Sequence, residues 1–274
     1  MLKIKEYVKA ESLAQAYELN QKKANRIVGG MLWMKMSRAQ IHTAIDLSGL
    51  GLDQIEETKD AFSIGCMVTL RQLELHAGLE AWSCGIVRES VKDIVGVQFR
   101  NLATIGGSIF GRFGFSDVLT AFLALDTYVE LYKGGVMTLA EFAEKERDND
   151  ILVRVIVKKT PGRYAYLTYR NAKTDFPVLA VAVAQDARGA RVVAGARPQK
   201  AILVPVKDIW KEKLEAGSCT EEEAGQIARE AAEQIPTGSN MRASAAYRSH
   251  LAKVLIKRGI LRMQKGKGAA GNAD

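Results

Sequence analysis

Two adjacent glycines, Gly106 and Gly107, lie in a polar turn between apolar runs, in the stretch 100–109 (RNLATIGGSI). Glycine reaches positive φ freely and carries no Cβ, so the backbone there can approach a ligand closely. Backbone N–H groups at such a turn form a concavity of anion size, and the hydroxyls of Thr104 and Ser108 can also bind phosphate oxygens. The stretch predicts a phosphate-binding loop. The alternative is an ordinary Gly-Gly turn, with Thr104 as an N-cap.

A second glycine pair, Gly29-Gly30, follows the apolar residues Ile27 and Val28 and precedes the stretch 31–36 (MLWMKM). This pattern predicts a strand, a turn and a helix start, whose N–H groups and positive dipole end attract an anion. The loop is not a Walker loop, because no Gly-Lys-Ser/Thr follows, and it lacks the Gly-x-Gly-x-x-Gly fingerprint. Two such loops on one chain indicate a single ligand with two phosphates, held between two subdomains.

The two loops and their surroundings resemble the FAD-binding subunit of the molybdenum hydroxylases, the family of xanthine dehydrogenase and carbon monoxide dehydrogenase. That family carries Ala-Gly-Gly-Thr-Asp-Leu in its first loop and Asn-x-Ala-Thr-Ile-Gly-Gly-Asn-Ile in its second. Here the second motif occupies 101–109 (NLATIGGSI), and Ser116-Asp117 and the apolar run 119–125 follow at the family's distance. Matches at 11–16 and 242–248 extend the resemblance over roughly residues 2–262.

The chain departs from the family's motifs at three places. Met31 and Leu32 replace the Thr-Asp of the first loop, Ser108 replaces an Asn, and 113–114 (FG) replaces Ser-Pro. The first departure predicts that the first loop recognises pyrophosphate through main-chain N–H groups. The other two departures affect expected side-chain contacts and leave the glycine turn itself unchanged.

The resemblance implies an FAD site that includes residues outside the glycine loops. Asp117 matches a carboxylate that binds the ribityl chain, although it could instead stabilise the start of the next helix. Trp33 is expected either against the cofactor or in the core, and Tyr169 and Arg170 fall where the family brings residues over the isoalloxazine ring. The predicted cofactor-binding residues are Ile27, Val28, Gly29, Gly30, Met31, Leu32, Trp33, Asn101, Thr104, Gly106, Gly107, Ser108, Asp117, Tyr169 and Arg170.

The resemblance also implies an electron-transfer role with non-covalent FAD and no catalytic side chain of its own, because the flavin carries the chemistry. Electrons would come from a 2Fe-2S subunit and leave to NAD⁺ or another acceptor. The molybdenum cofactor and the 2Fe-2S clusters would reside on partner subunits, in a hetero-oligomer that can also dimerise. The alternative is a stand-alone FAD-dependent oxidase or reductase, which would need an acid–base residue in a substrate pocket; the sequence singles out none.

Composition narrows the possible classes of protein. The 274 residues are 47% hydrophobic, no uncharged apolar run is long enough to span a membrane, and the N-terminus lacks a signal-peptide pattern, which predicts a cytoplasmic protein. Three scattered cysteines and three histidines have no ligand spacing, so no metal site is expected. The net charge of +8 is spread along the chain, which does not favour nucleic-acid binding.

The order of patterns predicts an α+β protein: a two-subdomain FAD-binding unit, by resemblance of the vanillyl-alcohol-oxidase/PCMH-like type, and then an α+β domain with a three-stranded antiparallel sheet and helices. We expect subdomains at 1–55 and 56–160, the C-terminal domain at 163–263 and a flexible tail at 264–274. The expected helices are 12–21, capped by Ser12, one opened by Thr69, 79–95 with a break near Gly85, 117–125, 221–234 and 244–263. The expected strands are 41–47, 62–65, 128–132, 151–158, 164–169, 178–185 and 191–194.

Overall fold

The computed structural model describes residues 1–265, and the predicted tail lies outside them from residue 266 onward. The strands are β1 (Lys3–Lys9), β2 (Arg26–Val28), β3 (Gln40–Asp46), β4 (Ile55–Glu57), β5 (Ala61–Gly65), β6 (Thr127–Leu131), β7 (Gly135–Thr138), β8 (Leu152–Lys158), β9 (Gly162–Tyr169), β10 (Leu179–Asp186), β11 (Gly189–Gly195) and β12 (Ile202–Pro205). The helices are α1 (Leu13–Asn20), α2 (Leu70–Leu75), α3 (Ala77–Trp82), α4 (Ile86–Val91), α5 (Val97–Arg100), α6 (Ile105–Phe110), α7 (Asp117–Ala124), α8 (Leu139–Glu144), α9 (Lys211–Ala216), α10 (Glu221–Glu233) and α11 (Ala245–Lys265).

The described residues divide into two compact units. The first comprises Met1–Gln72, Gly96–Gly111 and Thr127–Val157, and the second comprises Leu73–Val95, Arg112–Asp126 and the described residues from Lys158 onward. The first unit holds both glycine loops, and the second holds Asp117, Tyr169 and Arg170.

A parallel three-stranded sheet with the order β1-β3-β2 begins the first unit. Helix α1 connects β1 to β2, and the Ser12 hydroxyl accepts a hydrogen bond from the Gln15 N–H at 3.1 Å, so the predicted N-cap is confirmed. The helix start predicted after Gly30 is wrong. Met31 has φ 57, which an α-helix excludes, and the loop continues into a 3₁₀ turn, Met34–Met36.

The second sheet of the first unit has the order β4-β5-β8-β6-β7. Alternating residues of β6 are buried, as expected for a strand with one face in the core. The turn between β6 and β7 has left-handed backbone at Gly135, with φ 68. Thr69 accepts a hydrogen bond from the Gln72 N–H at 3.2 Å, which confirms it as the cap of α2.

The second unit is built on an antiparallel sheet with the order β12-β11-β10-β9, one strand more than predicted. Every residue of β10 is buried, because α7 and α11 both pack on it. Helix α7 approaches β11 so closely that a Cβ on Gly195 would lie 2.0 Å from the Thr120 Oγ1. The predicted break near Gly85 is confirmed by left-handed backbone at Cys84 (φ 55) and Gly85 (φ 77), between α3 and α4.

Arg248 anchors the start of α11. Its side chain is fully buried and donates hydrogen bonds to the carbonyls of Val178 (2.8 Å), Gly238 (2.8 Å) and Ala243 (2.6 Å). Burial lowers the pKa of this guanidinium. The carbonyl partners replace water around the charge, and the arginine therefore joins the residue before β10 and the connecting loop to the last helix.

Candidate functional site

The two glycine loops contact each other directly within the first unit. A Cβ on Gly30 would lie 1.9 Å from the carbonyl oxygen of Leu102, and a Cβ on Gly29 would lie 2.8 Å from the Thr104 Oγ1. Real Cβ atoms do not approach other atoms this closely, so the loops can pack together only with glycine at both positions. The first pair is thus required by packing against the second loop.

The main-chain donors of the first loop have no acceptor among residues 1–265. Among residues 1–265, the N–H groups of Gly29, Gly30, Met31 and Leu32 donate to no protein group. The left-handed backbone at Met31 interrupts any regular hydrogen-bonding pattern there. Consecutive unpaired N–H groups in a turn can bind an anion, as predicted for a loop that recognises pyrophosphate through its main chain.

The second loop uses its main-chain donors differently. The N–H groups of Ile105 and Gly106 donate to the carbonyls of Val68 and Cys66, both at 2.9 Å. The Gly107 N–H donates to the Thr104 Oγ1 at 3.1 Å, so Thr104 is the N-cap of α6. The hydroxyl hydrogen of Thr104 stays available for a ligand acceptor, because Oγ1 acts only as an acceptor in this bond.

The two glycines of the second loop have different surroundings. A Cβ on Gly106 would lie 2.5 Å from the carbonyl oxygen of Cys66, whereas one on Gly107 would meet only the Thr104 Oγ1, at 3.3 Å. Gly106 therefore permits packing inside the first unit, and Gly107 borders space that a side chain would fill. Unpaired N–H groups in one loop and this space beside the other fit the pyrophosphate of a dinucleotide.

The remaining predicted residues of the first unit differ in burial and in contacts. Val28 is buried in β2, and the Trp33 ring packs edge-on against Phe99 with centroids 5.7 Å apart, which fits its core alternative. Asn101 is exposed at the end of α5. The Ser108 hydroxyl donates to the Thr104 carbonyl at 3.0 Å, within its own helix.

In the second unit, Asp117 is the first residue of α7, and its side chain is only 4% exposed. The Tyr166 hydroxyl donates to the Asp117 Oδ1 at 2.5 Å, and the Arg170 Nη2 donates to the same oxygen at 2.8 Å. Burial raises the pKa of Asp117, while the Arg170 charge and the Tyr166 hydroxyl act in the opposite direction. The structure thus brings two of the predicted residues, Asp117 and Arg170, into one buried ion pair.

Tyr169 points away from this pair. It is 39% exposed, and its ring packs edge-on against Tyr247 with centroids 6.2 Å apart. Sequence reasoning missed Tyr166, whose hydroxyl is the closest donor to Asp117. The signal was weak: Tyr164, Tyr166 and Tyr169 lie in one strand, and nothing local distinguishes the one that contacts the carboxylate.

A metal centre is absent from the part of the chain that the structure describes, where no three His, Cys, Asp or Glu side chains are grouped to hold an ion. Within residues 1–265, none of the three cysteines forms a disulfide, and Cys66 and Cys219 are buried. Burial raises the pKa of the Cys66 thiol to about 12, so it stays protonated near neutral pH. Within residues 1–265, no helix is long and apolar enough to cross a membrane.

Comparisons with known proteins agree with this geometry. Residues 2–159 match the family described as the FAD binding domain in molybdopterin dehydrogenase, and residues 164–263 match the CO dehydrogenase flavoprotein C-terminal domain. YgfM of Escherichia coli is 26% identical over 92% of this chain and 94% of its own. The nicotine 6-hydroxylase medium subunit of Paenarthrobacter nicotinovorans is 25% identical over 83% of this chain and 84% of its own.

The fold is shared with a solved enzyme. The crystal structure of quinoline 2-oxidoreductase from Pseudomonas putida 86 superposes with a TM-score of 0.83 at 18% identity, covering 97% of each chain. The paired glycine loops, the α+β C-terminal sheet and the two family matches lead to one conclusion: this chain belongs to the FAD-binding subunits of the molybdenum hydroxylase family, which are oxidoreductase components.

Proposed function

We propose that this chain is the electron-transfer subunit of a molybdenum hydroxylase complex, passing electrons from 2Fe-2S clusters through non-covalent FAD to NAD⁺ or another acceptor. FAD, when bound, supplies the redox chemistry, because a flavin exchanges electrons singly or in pairs. The protein's part is to bind and orient the cofactor. The observation that carries this proposal is the row of unpaired N–H groups at 29–32 beside the space at Gly107.

Each glycine-loop residue has a defined part in this proposal. The N–H groups of Gly29, Gly30, Met31 and Leu32 donate to pyrophosphate oxygens, and the Thr104 hydroxyl adds a further donor. Gly107, which has no side chain, leaves room for the pyrophosphate. Five further residues stay predicted contacts of the cofactor: Trp33, Asn101, Ser108, Tyr169 and Arg170.

The binding experiment compares visible absorption spectra after reconstitution with FAD and desalting. We expect the wild type to retain about one flavin per chain, and Gly107→Val to fold but lose it, since the side chain fills the phosphate space. Gly225→Ala is the matched control, because a Cβ there meets its nearest neighbour at 3.7 Å. A folded Gly107→Val protein with stoichiometric flavin would overturn the pyrophosphate assignment.

The comparisons support a partnership with other subunits. The relative named as a medium subunit and the molybdopterin dehydrogenase family match support partners that carry molybdopterin and 2Fe-2S clusters. We place the assembly in the cytoplasm as a hetero-oligomer.

The partnership is tested by co-expression and by assays of the isolated chain. The isolated flavoprotein is expected to oxidise NADH slowly with an artificial acceptor and to leave purines and related heterocycles unchanged. Co-expression with a molybdopterin subunit and a 2Fe-2S subunit should give a complex of three kinds of chain by native mass spectrometry. Heterocycle hydroxylation by the single chain would contradict the proposal, as would the lack of any association.

A further inference from the structure

The last helix of the second unit, α11, has a basic outer face. Its 21 residues include lysines and arginines at six positions but no aspartate or glutamate. Arg248 is buried, and the other five cations are exposed or half-buried, whereas the apolar side of the helix packs on β10. These five residues, which we call the basic face, are Lys253, Lys257, Arg258, Arg262 and Lys265. A helix surface that only meets water usually carries both signs, because opposite charges four residues apart stabilise the helix.

The spacing of these cations does not serve the stability of the helix. Lys253 and Lys257 are four residues apart, and so are Arg258 and Arg262, so each pair brings two like charges together on the helix surface. Such like-charge pairs destabilise a helix. Arg262 and Lys265 lie in the last turn, where cations interact favourably with the helix dipole, but Lys253 and Arg258 lie too far from that end to contribute.

The carboxylates that pair with the basic face come from neighbouring helices of the second unit. The Lys257 Nζ donates to the Glu221 Oε1 at 2.7 Å, and this bond holds the pKa of Glu221 below its usual value. The Arg262 Nη2 lies 3.8 Å from the Glu89 Oε2, and both oxygens of Glu89 already accept from the Lys92 Nζ, at 2.7 and 2.8 Å. Glu89 is therefore shared between two cations.

The basic face keeps a large excess of positive charge. Lys253 and Arg258 are exposed and form no ion pair with any described residue. The only described carboxylates within ion-pair distance of the five cations are Glu221 and Glu89. Clustered charges of one sign create a potential that attracts a surface of the opposite sign and speeds its association.

The chemistry of the face favours one kind of partner. A second copy of this chain is disfavoured, because the net charge of +8 is repulsive between copies. A membrane-binding helix would expose apolar residues beside its cations, but no large apolar side chain is exposed between Lys253 and Lys265. Single-stranded nucleic acid would call for aromatic residues among the cations, and the only exposed one on α11, Tyr247, lies at its start and packs on Tyr169.

We propose that the basic face of α11 docks an acidic surface of a protein subunit of the same complex. This inference rests on the proposed function and assigns the contact to a face of the second unit alone. Lys253 and Arg258 are the main determinants, because their charges are not offset within the described residues. Carboxylates of the partner would relieve the repulsion between the like-charge pairs, so the contact stabilises both the complex and the helix.

The test measures association with an immobilised subcomplex of the molybdopterin subunit and the 2Fe-2S subunit by biolayer interferometry, at low and high ionic strength. We expect Lys253→Glu with Arg258→Glu to slow association about a hundredfold at low ionic strength. The wild-type rate should fall steeply with added salt, because salt screens exposed charges. The rate of the double variant should fall far less. Lys253→Gln with Arg258→Gln should give an intermediate rate.

The matched control is Lys173→Glu with Lys211→Glu, which makes the same change in net charge elsewhere in the second unit. Both lysines are exposed, and their nearest carboxylates are 3.9 and 4.0 Å away. This control should associate nearly as fast as the wild type, and equal slowing in both double variants would mean that overall charge, not the basic face, is responsible. Thermal melts check that each variant folds, and if the glutamate pair does not fold, the glutamine pair decides.

The remaining outcomes separate this inference from the proposed function. If the wild type associates with the subcomplex and the folded Lys253 and Arg258 variants do so at the same rate, the inference is wrong and the proposed partnership stands. If the wild type does not associate at all, both are wrong. Binding of a duplex DNA oligonucleotide or of anionic vesicles that is lost in the variants, with subunit association unchanged, would assign the face to a different class of partner and overturn the proposal.

Discussion

The two glycine loops of the first unit share a Gly-Gly pair, but they differ in whether their backbone N–H groups have acceptors within the protein. In the first loop, the N–H groups of residues 29–32 donate to no described protein group, and Met31 has left-handed backbone. In the second loop, Ile105, Gly106 and Gly107 all donate within the protein. The difference teaches that the same Gly-Gly motif can leave its backbone donors unpaired or use them to build a loop. In the proposed site, the first loop donates to the ligand, and the second is the rigid surface against which the first loop packs.

The largest effect should come from Gly30→Ala. Its Cβ would lie 1.9 Å from the Leu102 carbonyl oxygen, so the loops must separate. We expect a loss of about 3 kcal/mol in the free energy of unfolding of the apoprotein, at the upper end for an overpacked site. Urea denaturation measures it, with Gly96→Ala as the control in the same unit, where the nearest contact is at 3.5 Å. An unchanged unfolding midpoint would mean that the loops do not depend on each other.

Gly106→Ala should also overpack the first unit, but it should destabilise the protein less than Gly30→Ala. Its Cβ would lie 2.5 Å from the Cys66 carbonyl oxygen, but alanine also favours the helix relative to glycine. We expect a net loss of about 2 kcal/mol in the free energy of unfolding. The informative comparison is with Gly107→Ala, which should keep its stability and lose FAD affinity. If both alanine variants lose FAD affinity and have equal stability, the assignment of Gly106 to packing and Gly107 to the ligand space would be wrong.

Thr104→Val removes the cap of α6 and leaves the Gly107 N–H without its acceptor. An N-cap of this kind contributes about 1 kcal/mol to the free energy of unfolding. FAD affinity should fall as well, because the hydroxyl donor is also gone, whereas Thr104→Ser should retain both properties. Thermal melts with and without FAD distinguish the two losses, and equal behaviour of the valine and serine variants would refute the assignment of the hydroxyl.

The smallest effect is expected at Met31, where the family has a polar residue. If recognition is through the main chain, Met31→Ala should change FAD affinity less than tenfold, under ~1.4 kcal/mol. Fluorescence titration measures the change. A much larger loss in a protein that melts like the wild type would show that the methionine side chain contacts the cofactor, and the first loop would then differ less from the second.

Local signals in the sequence predicted a large part of the fold. The caps at Ser12 and Thr69 and the break near Gly85 were all predicted and are confirmed. Each depends on a few adjacent residues whose side chains or φ angles act on their own backbone. The strand β12 was missed because it is only four residues long. The helix predicted after Gly30 was wrong because the backbone at Met31 is left-handed.

The sequence by itself determined the family, the α+β class and the two glycine pairs, because these depend on residue types at short spacing. Only the tertiary structure decided what each glycine does. The carbonyls of Cys66 and Val68, which are remote in sequence, take the donors of the second loop, and the Leu102 carbonyl makes Gly30 necessary. The same holds for Asp117, whose partner Tyr166 lies 49 residues further along the chain. Hydrogen-bond partners and close backbone contacts between distant segments follow from the folded path of the chain, and no local pattern encodes them.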